Sequence, residues 1–318
     1  MNGLRLLPAL MMVLAVTACE SSLDTSAGPE TSIRPPAAPV AVAAMTVGQS
    51  EESRALSLFY ARLEQRLVAQ GLLRQDGGAG TAFSAADLAR NFERIALFSE
   101  YTQMGGRYVA QQSRAQLRRW EKPVRIELHF GASVPDAVKE ADRRRIEAYV
   151  RRLRRAAGHP IDVVASNGNF HVFVASIDEQ RKLGPQIMAA EPGLSRQTVR
   201  DITSLNRNTY CAVYASSSSD QPNAYVSAIA LVRSEHPNLF RQSCYQEEIV
   251  QGLGLANDNP QVRPSIFNDD EEFALLTRHD ELLLKILYDR RLRVGMTAEE
   301  ARPIVQRIAA QLVGSDPV

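Results

Sequence analysis

The feature that most limits what this chain can fold into is a change in the period of its apolar residues near Val124. Before it, Leu56, Phe59, Leu63 and Leu67, then Leu88, Phe92, Ile95 and Phe98, recur three or four apart, the spacing of a helix with one apolar face. Ser84 is placed to cap the second helix, and Gly77-Gly78-Ala79-Gly80 breaks the chain between the two. From Val124 the apolar residues alternate with charged ones through Ile126 and Leu128, the pattern of a half-buried strand. The pattern then predicts a long helix from about 135 to 157 and strands over 161–165 and 170–175. Helices near 176–189 and 195–204 follow, then strands over 209–215 and 224–232 and a helical remainder. The order α, then β-α-β-β-α-α-β-β, then helices favours an α+β layered fold with a helical C-terminal part. A 45% hydrophobic content supports a true core. The expected organisation is a helical N-terminal region over 51–120 and an α+β domain over 121–318.

Ahead of these elements, Arg5 precedes an apolar run from Leu6 to Val16 that is too short to span a bilayer and is flanked as a secretory signal is. The run ends in Val16-Thr17-Ala18-Cys19, which resembles the lipobox of bacterial lipoproteins. The resemblance implies cleavage after residue 18 and acylation of the Cys19 thiol, so that the body is tethered to a membrane on the periplasmic side. Glu20, a residue other than Asp after the cysteine, then implies sorting to the outer membrane. Residues 19–50 are rich in Ser, Thr, Ala and Pro and show no apolar period, so they read as a flexible tether.

A net charge of +1 supplies no global field toward nucleic acid, and export argues further against such a partner. The expected partners are the membrane, through the anchor, and a peptide or envelope-protein ligand. The helix from Pro135 carries Arg143, Arg144, Arg145, Arg151, Arg152, Arg154 and Arg155, but Ile146, Tyr149, Val150 and Leu153 form its apolar stripe. The arginines therefore belong on a solvated face, balanced by Glu140, Asp142 and Glu147, rather than in an anion site. Setting Cys19 aside leaves Cys211 and Cys244, an even count in an oxidising compartment, which favours a disulfide over two buried free thiols.

The segment from Cys244 to Asp258 carries the most chemical information. Read as a helix, Glu247 and Gln251 share a face one turn apart, and Gly254 supplies a position that can turn the chain sharply. It resembles a degenerate form of the zincin helix, in which His-Glu-x-x-His-x-x-Gly-x-x-His/Asp supplies two zinc ligands, a general base, a glycine turn and a third ligand. The resemblance puts Glu247, Gln251 and Asn257 (or Asp258) at the ligand positions, Glu248 at the base and Gly254 at the turn. It further implies a mixed sheet above the helix and a substrate-binding edge strand at Ala224 to Val232. Ser265-Ile266-Phe267 would stand at the place of the Met-turn, and Leu276 to Tyr288 at that of a closing helix. Cys244-x-x-Glu247-Glu248-x-x-Gln251, Ser265-Ile266-Phe267-Asn268, Leu276-Thr277-Arg278-His279-Asp280 and Gly295-Met296-Thr297 together are similar to the bacterial domain-of-unknown-function family 2927.

Chemistry argues against catalysis at these positions. Zinc lowers the pKa of its water from about 15.7 to about 7, worth roughly 12 kcal/mol in making hydroxide, and a lone carboxylate at Glu248 cannot replace that. Gln251 and Asn257 are neutral amides, poor zinc ligands. Calcium would need six or more oxygens, more than Glu247, Gln251 and Asp258 offer. No metal or other cofactor is therefore expected. The histidines, His129, His159, His171, His236 and His279, form no pair spaced one helical turn apart. Ser216 to Ser219 lack a nucleophile elbow. Glu247, Glu248 and Gln251 then either serve structure or line a groove that binds without cleaving, and Asp280 falls within an apolar stripe that suggests a buried hydrogen-bonding role. The expected function is a non-catalytic, membrane-anchored periplasmic lipoprotein with a binding or envelope-assembly role; the alternative is a divergent peptidase or other hydrolase using Glu248.

Overall fold

Residues 49–104, 107–268 and 270–314 are described by the computed structural model of the chain; Cys19, the apolar run before it, Glu20 and the tether up to residue 48 lie outside the described residues. The first helix, α1 (Glu51–Ala69), is capped by the Ser50 hydroxyl, which accepts from the Ser53 N–H. It buries Leu56, Tyr60, Leu63 and Leu67; Phe59 packs half-buried at the margin, and Tyr60 takes the inward aromatic position. Helix α2 (Ala85–Ala96) starts at Ser84 in a reciprocal capping box with Asp87 and turns Leu88, Phe92 and Ile95 inward.

Beyond Ala96 the chain departs from the helical region expected up to residue 120. Strands β1 (Phe98–Met104) and β2 (Arg107–Arg114) pair as an antiparallel hairpin, and β3 (Arg119–Trp120) enters the main sheet. Gly105-Gly106 between the two runs is a two-residue hairpin signal, and it prevails over the helical spacing that continued to Phe98.

The remaining elements follow the expected order. They are β4 (Val124–Phe130), α3 (Asp136–Ala157), β5 (Ile161–Val164), β6 (Phe170–Ala175), α4 (Ile177–Gln180), α5 (Gly184–Ala190) and α6 (Arg196–Thr203). After them come β7 (Cys211–Ser218), β8 (Gln221–Arg233), α7 (Asn238–Leu253), α8 (Arg278–Leu287) and α9 (Ala298–Val313). The one helix expected over 176–189 is two, with Pro185 in the first turn of α5 where its missing N–H costs no helical bond.

Strands β3, β8, β6, β4 and β5 lie in that order and are parallel, and β7 runs antiparallel to β8. Because β7 pairs along β8 from Gln221 to Val232, β6 and β3 share the other edge of β8 in tandem. The outer strand on this side is therefore β7. The edge role that the zincin resemblance implies for Ala224 to Val232 is not met: that stretch is interior and buried from Ser227 onward, whereas every residue of β7 is half-buried.

Both faces of the sheet are covered, which is why β6 is a continuous buried run. On one face Ile126, Phe170, Val172, Val174, Ala228, Ala230 and Val232 meet α3, α7 and α8; on the other, Phe173, Ala175, Ile229 and Leu231 meet Leu183, Ile187, Val199 and Ile202 of the α4 to α6 segment. Helix α2 packs on α8 and α9, so the N-terminal helices belong to the same compact unit as the sheet. The mixed α+β architecture with helices before and after a sheet is thus as expected. On α3, Arg144, Arg151, Arg154 and Arg155 are exposed as anticipated, but Asp142 is fully buried and belongs to the interior. No helix among the described residues is long and apolar enough to cross a membrane.

Candidate functional site

Helix α7 carries the Glu-Glu-x-x-Gln segment against β7 and β8. It begins after Pro237, sends Phe240, Cys244, Ile249, Val250 and Leu253 inward, and stops at Gly254. Gly254 has φ +124°, and a Cβ there would lie 2.4 Å from the Arg118 carbonyl oxygen, so only glycine fits this turn. Gly252, which the sequence reading passed over, is equally constrained. A Cβ there would meet the Phe170 ring at 2.5 Å and Val213 at 3.1 Å, and the Gly252 carbonyl accepts from Trp120 Nε1 at 2.8 Å. The signal that could have found it is a glycine in a helix interior, which costs about 1 kcal/mol relative to alanine unless packing requires it.

The Cys211–Cys244 disulfide joins the first residue of β7 to the middle of α7, with Cα atoms 5.8 Å apart. Closing a loop across a separation of 33 residues stabilises by about 3 to 4 kcal/mol in the chain-entropy model. It also locks the edge strand to the helix. His236 Nδ1 lies 3.7 Å from Cys244 Sγ; burial, followed by the charges of Arg233 and Arg241, holds that imidazole well below its usual range and hence neutral.

The candidate positions divide into three groups. Carboxylate oxygens of Glu247 and Glu248 and the sulfur of Cys211 lie within 4.8 Å of one another, with Glu247 half-buried and Glu248 buried. One turn on, Gln251 Nε2 donates to Asp258 Oδ1 at 2.9 Å, so two of the vestigial ligand positions engage each other. The Asn257 side chain is fully buried and donates through Nδ2 to the Arg94 carbonyl at 2.7 Å. Of the alternatives Asn257 and Asp258, the structure brings Asp258 to the helix and leaves Asn257 to tie the loop to α2.

The donor chemistry does not suit zinc. Sulfur in a disulfide is not a thiolate, and the remaining donors are two adjacent carboxylates, an amide and a third carboxylate, with no imidazole among them. Ser265 and Ile266 are held by Asp280, which accepts from Ser265 Oγ at 2.5 Å, Ile266 N at 3.1 Å, Thr277 N at 3.0 Å and Thr277 Oγ1 at 2.8 Å. Asp280 is fully buried and has the hydrogen-bonding role expected of it. Elsewhere the fold unites two histidines that sequence spacing kept apart, His129 on β4 and His171 on β6.

No curated protein and no solved structure matches the chain at a meaningful level. The family described as "Protein of unknown function (DUF2927)" matches it over residues 85–307, a span that runs from α2 into α9 and includes the sheet, α7 and the Asp280 loop. The chain belongs to the DUF2927 family.

Proposed function

We propose that this protein is a membrane-anchored periplasmic lipoprotein whose domain is a zincin-like, non-catalytic scaffold that binds an extended peptide or envelope-protein segment along β7. The observation that carries the reading is the placement of α7 and β7. A helix with glutamate at the general-base position ends in a glycine turn and is stapled by a disulfide to an antiparallel outer strand. An outer strand offers backbone N–H and C=O groups to an added strand, and Cys211 at the start of the half-buried β7 lies beside Glu247 and Glu248. The amide and carboxylate side chains at the ligand positions support recognition rather than hydrolysis.

The shape is tested by restoring the imidazoles. Glu247→His, Gln251→His and Asp258→His together should add one tightly bound zinc per chain beyond whatever the parent and the single variants hold, read by metal analysis of folded protein after gel filtration. Asp258 replaces Asn257 in this test because the Asn257 side chain is committed to the Arg94 carbonyl. A folded triple variant that takes up no more zinc than the parent would defeat the zincin-like reading.

The anchor is tested at Cys19. Cys19→Ser should move the protein from the membrane to the soluble fraction, because one acyl chain gives only marginal attachment and stable anchoring needs the additional chains of a mature lipoprotein. Retention of the variant in the outer-membrane fraction would refute the anchor.

A further inference from the structure

On the face of the sheet opposite α7, Glu127, His129 and His171 form a three-donor cluster. In β4, Ile126 and Leu128 turn toward the α7 layer, so the alternate residues Glu127 and His129 face the other way; in β6, His171 lies between Phe170 and Val172 and does the same. The parallel register sets Glu127 beside His171. His129 Nε2 is 3.0 Å from His171 Nδ1 and 3.8 Å from Glu127 Oε1, and one donor atom from each of the three lies within 4.8 Å of the others. Two ligands bound tetrahedrally to zinc at 2.0–2.1 Å stand about 3.3 Å apart, a value these spacings bracket.

Each donor is also held. The Gly168 N–H donates to Glu127 Oε2 at 2.9 Å, leaving Oε1 toward His129; a Cβ on Gly168 would lie 2.6 Å from Glu127 Cβ, so the backbone approaches this closely only at glycine. The His129 ring stacks on Phe173 with centroids 4.5 Å apart. His171 is buried at 5% exposure, while the side chains of His129 and Glu127 retain 29% and 19%, so solvent reaches the cluster from one side.

We propose that Glu127, His129 and His171 form a binding site for a divalent cation of the zinc class, with the solvent side left for water or an exogenous ligand. Two imidazoles and one carboxylate are a zinc donor set, unlike the carboxylates and amide on α7. The site is independent of the zincin-like reading, since it lies across the sheet from α7.

The full-length protein in detergent, stripped with chelator and exposed to zinc chloride, should retain about one zinc per chain through gel filtration. His171→Gln and His129→Gln should each weaken binding by at least about tenfold in competition with a chromogenic chelator, and Glu127→Gln by a smaller factor. Circular dichroism verifies the fold of each variant. Should the buried His171→Gln fail to fold, the half-exposed His129→Gln decides the matter. Absence of retained zinc, or zinc held unchanged by folded His129→Gln, overturns the site and leaves the two rings as a neutral hydrogen-bonded pair. Loss of zinc in Gln251→Ala with unchanged affinity in His129→Gln would place the ion on α7 and equally overturn it.

Discussion

Asp280→Ala is expected to destabilise the protein by about 3 to 5 kcal/mol, seen as a lower urea midpoint at unchanged slope. Its carboxyl group is fully buried and accepts from two hydroxyls and two backbone N–H groups. Removal leaves the N–H of Ile266 and of Thr277 buried without an acceptor, at about 1 to 3 kcal/mol each. The Asp280 N–H still donates to Thr277 Oγ1 in the alanine variant, so of the α8 capping box only the half in which the Asp280 carboxylate accepts from the Thr277 N–H is lost. Asp280→Asn keeps one acceptor oxygen and should lose less. Equal midpoints for Asp280→Ala and the parent would mean the loop from Ser265 to Asn268 does not depend on this residue.

How far the sequence foretells these contacts depends on the range over which each cause acts. Helix caps and stripes are local, so Ser84, the α3 span and the buried Asp280 are legible from a few neighbouring residues. The disulfide is legible for a different reason, because the cysteine count, once Cys19 is set aside, leaves Cys211 and Cys244 as the two partners. Alternation says that Ala224 to Val232 is a strand but not which neighbours flank it, and the outer position falls instead to β7. Asn257 and Asp258 are told apart by partners that local spacing does not contain, the Arg94 carbonyl on α2 for the one and Gln251 on α7 for the other. His129 and His171 meet only through the register of β4 on β6, which no single-strand pattern contains. The hairpin of β1 and β2 was legible in Gly105-Gly106, but helical spacing read through Phe98 obscured it.

The fold also depends on an interior charge pair that surface reasoning placed outside. Asp142 on α3 is fully buried and accepts from Arg241 Nε on α7 at 2.7 Å and from the Tyr245 hydroxyl at 2.9 Å. Arg241 Nη1 also donates to the His236 carbonyl at 2.7 Å. Burial, reinforced by the charge of Asp142, pushes the Tyr245 hydroxyl well above its usual range, so it remains a donor. Arg241→Ala should therefore cost about 3 to 5 kcal/mol, because it strands a carboxylate that two remaining donors, Tyr245 and the more distant Arg145, only partly satisfy. Replacing both partners separates the pair's net worth from the cost of orphaning one member. Asp142→Leu with Arg241→Met removes both charges at similar volume, and should recover most of the loss if a well-packed apolar contact can substitute for the pair. Chemical denaturation of the two variants makes the comparison. A single variant as stable as the parent would show that water reaches Asp142, and a double variant as unstable as the single would show that the pair itself, rather than relief of a stranded charge, holds α3 against α7.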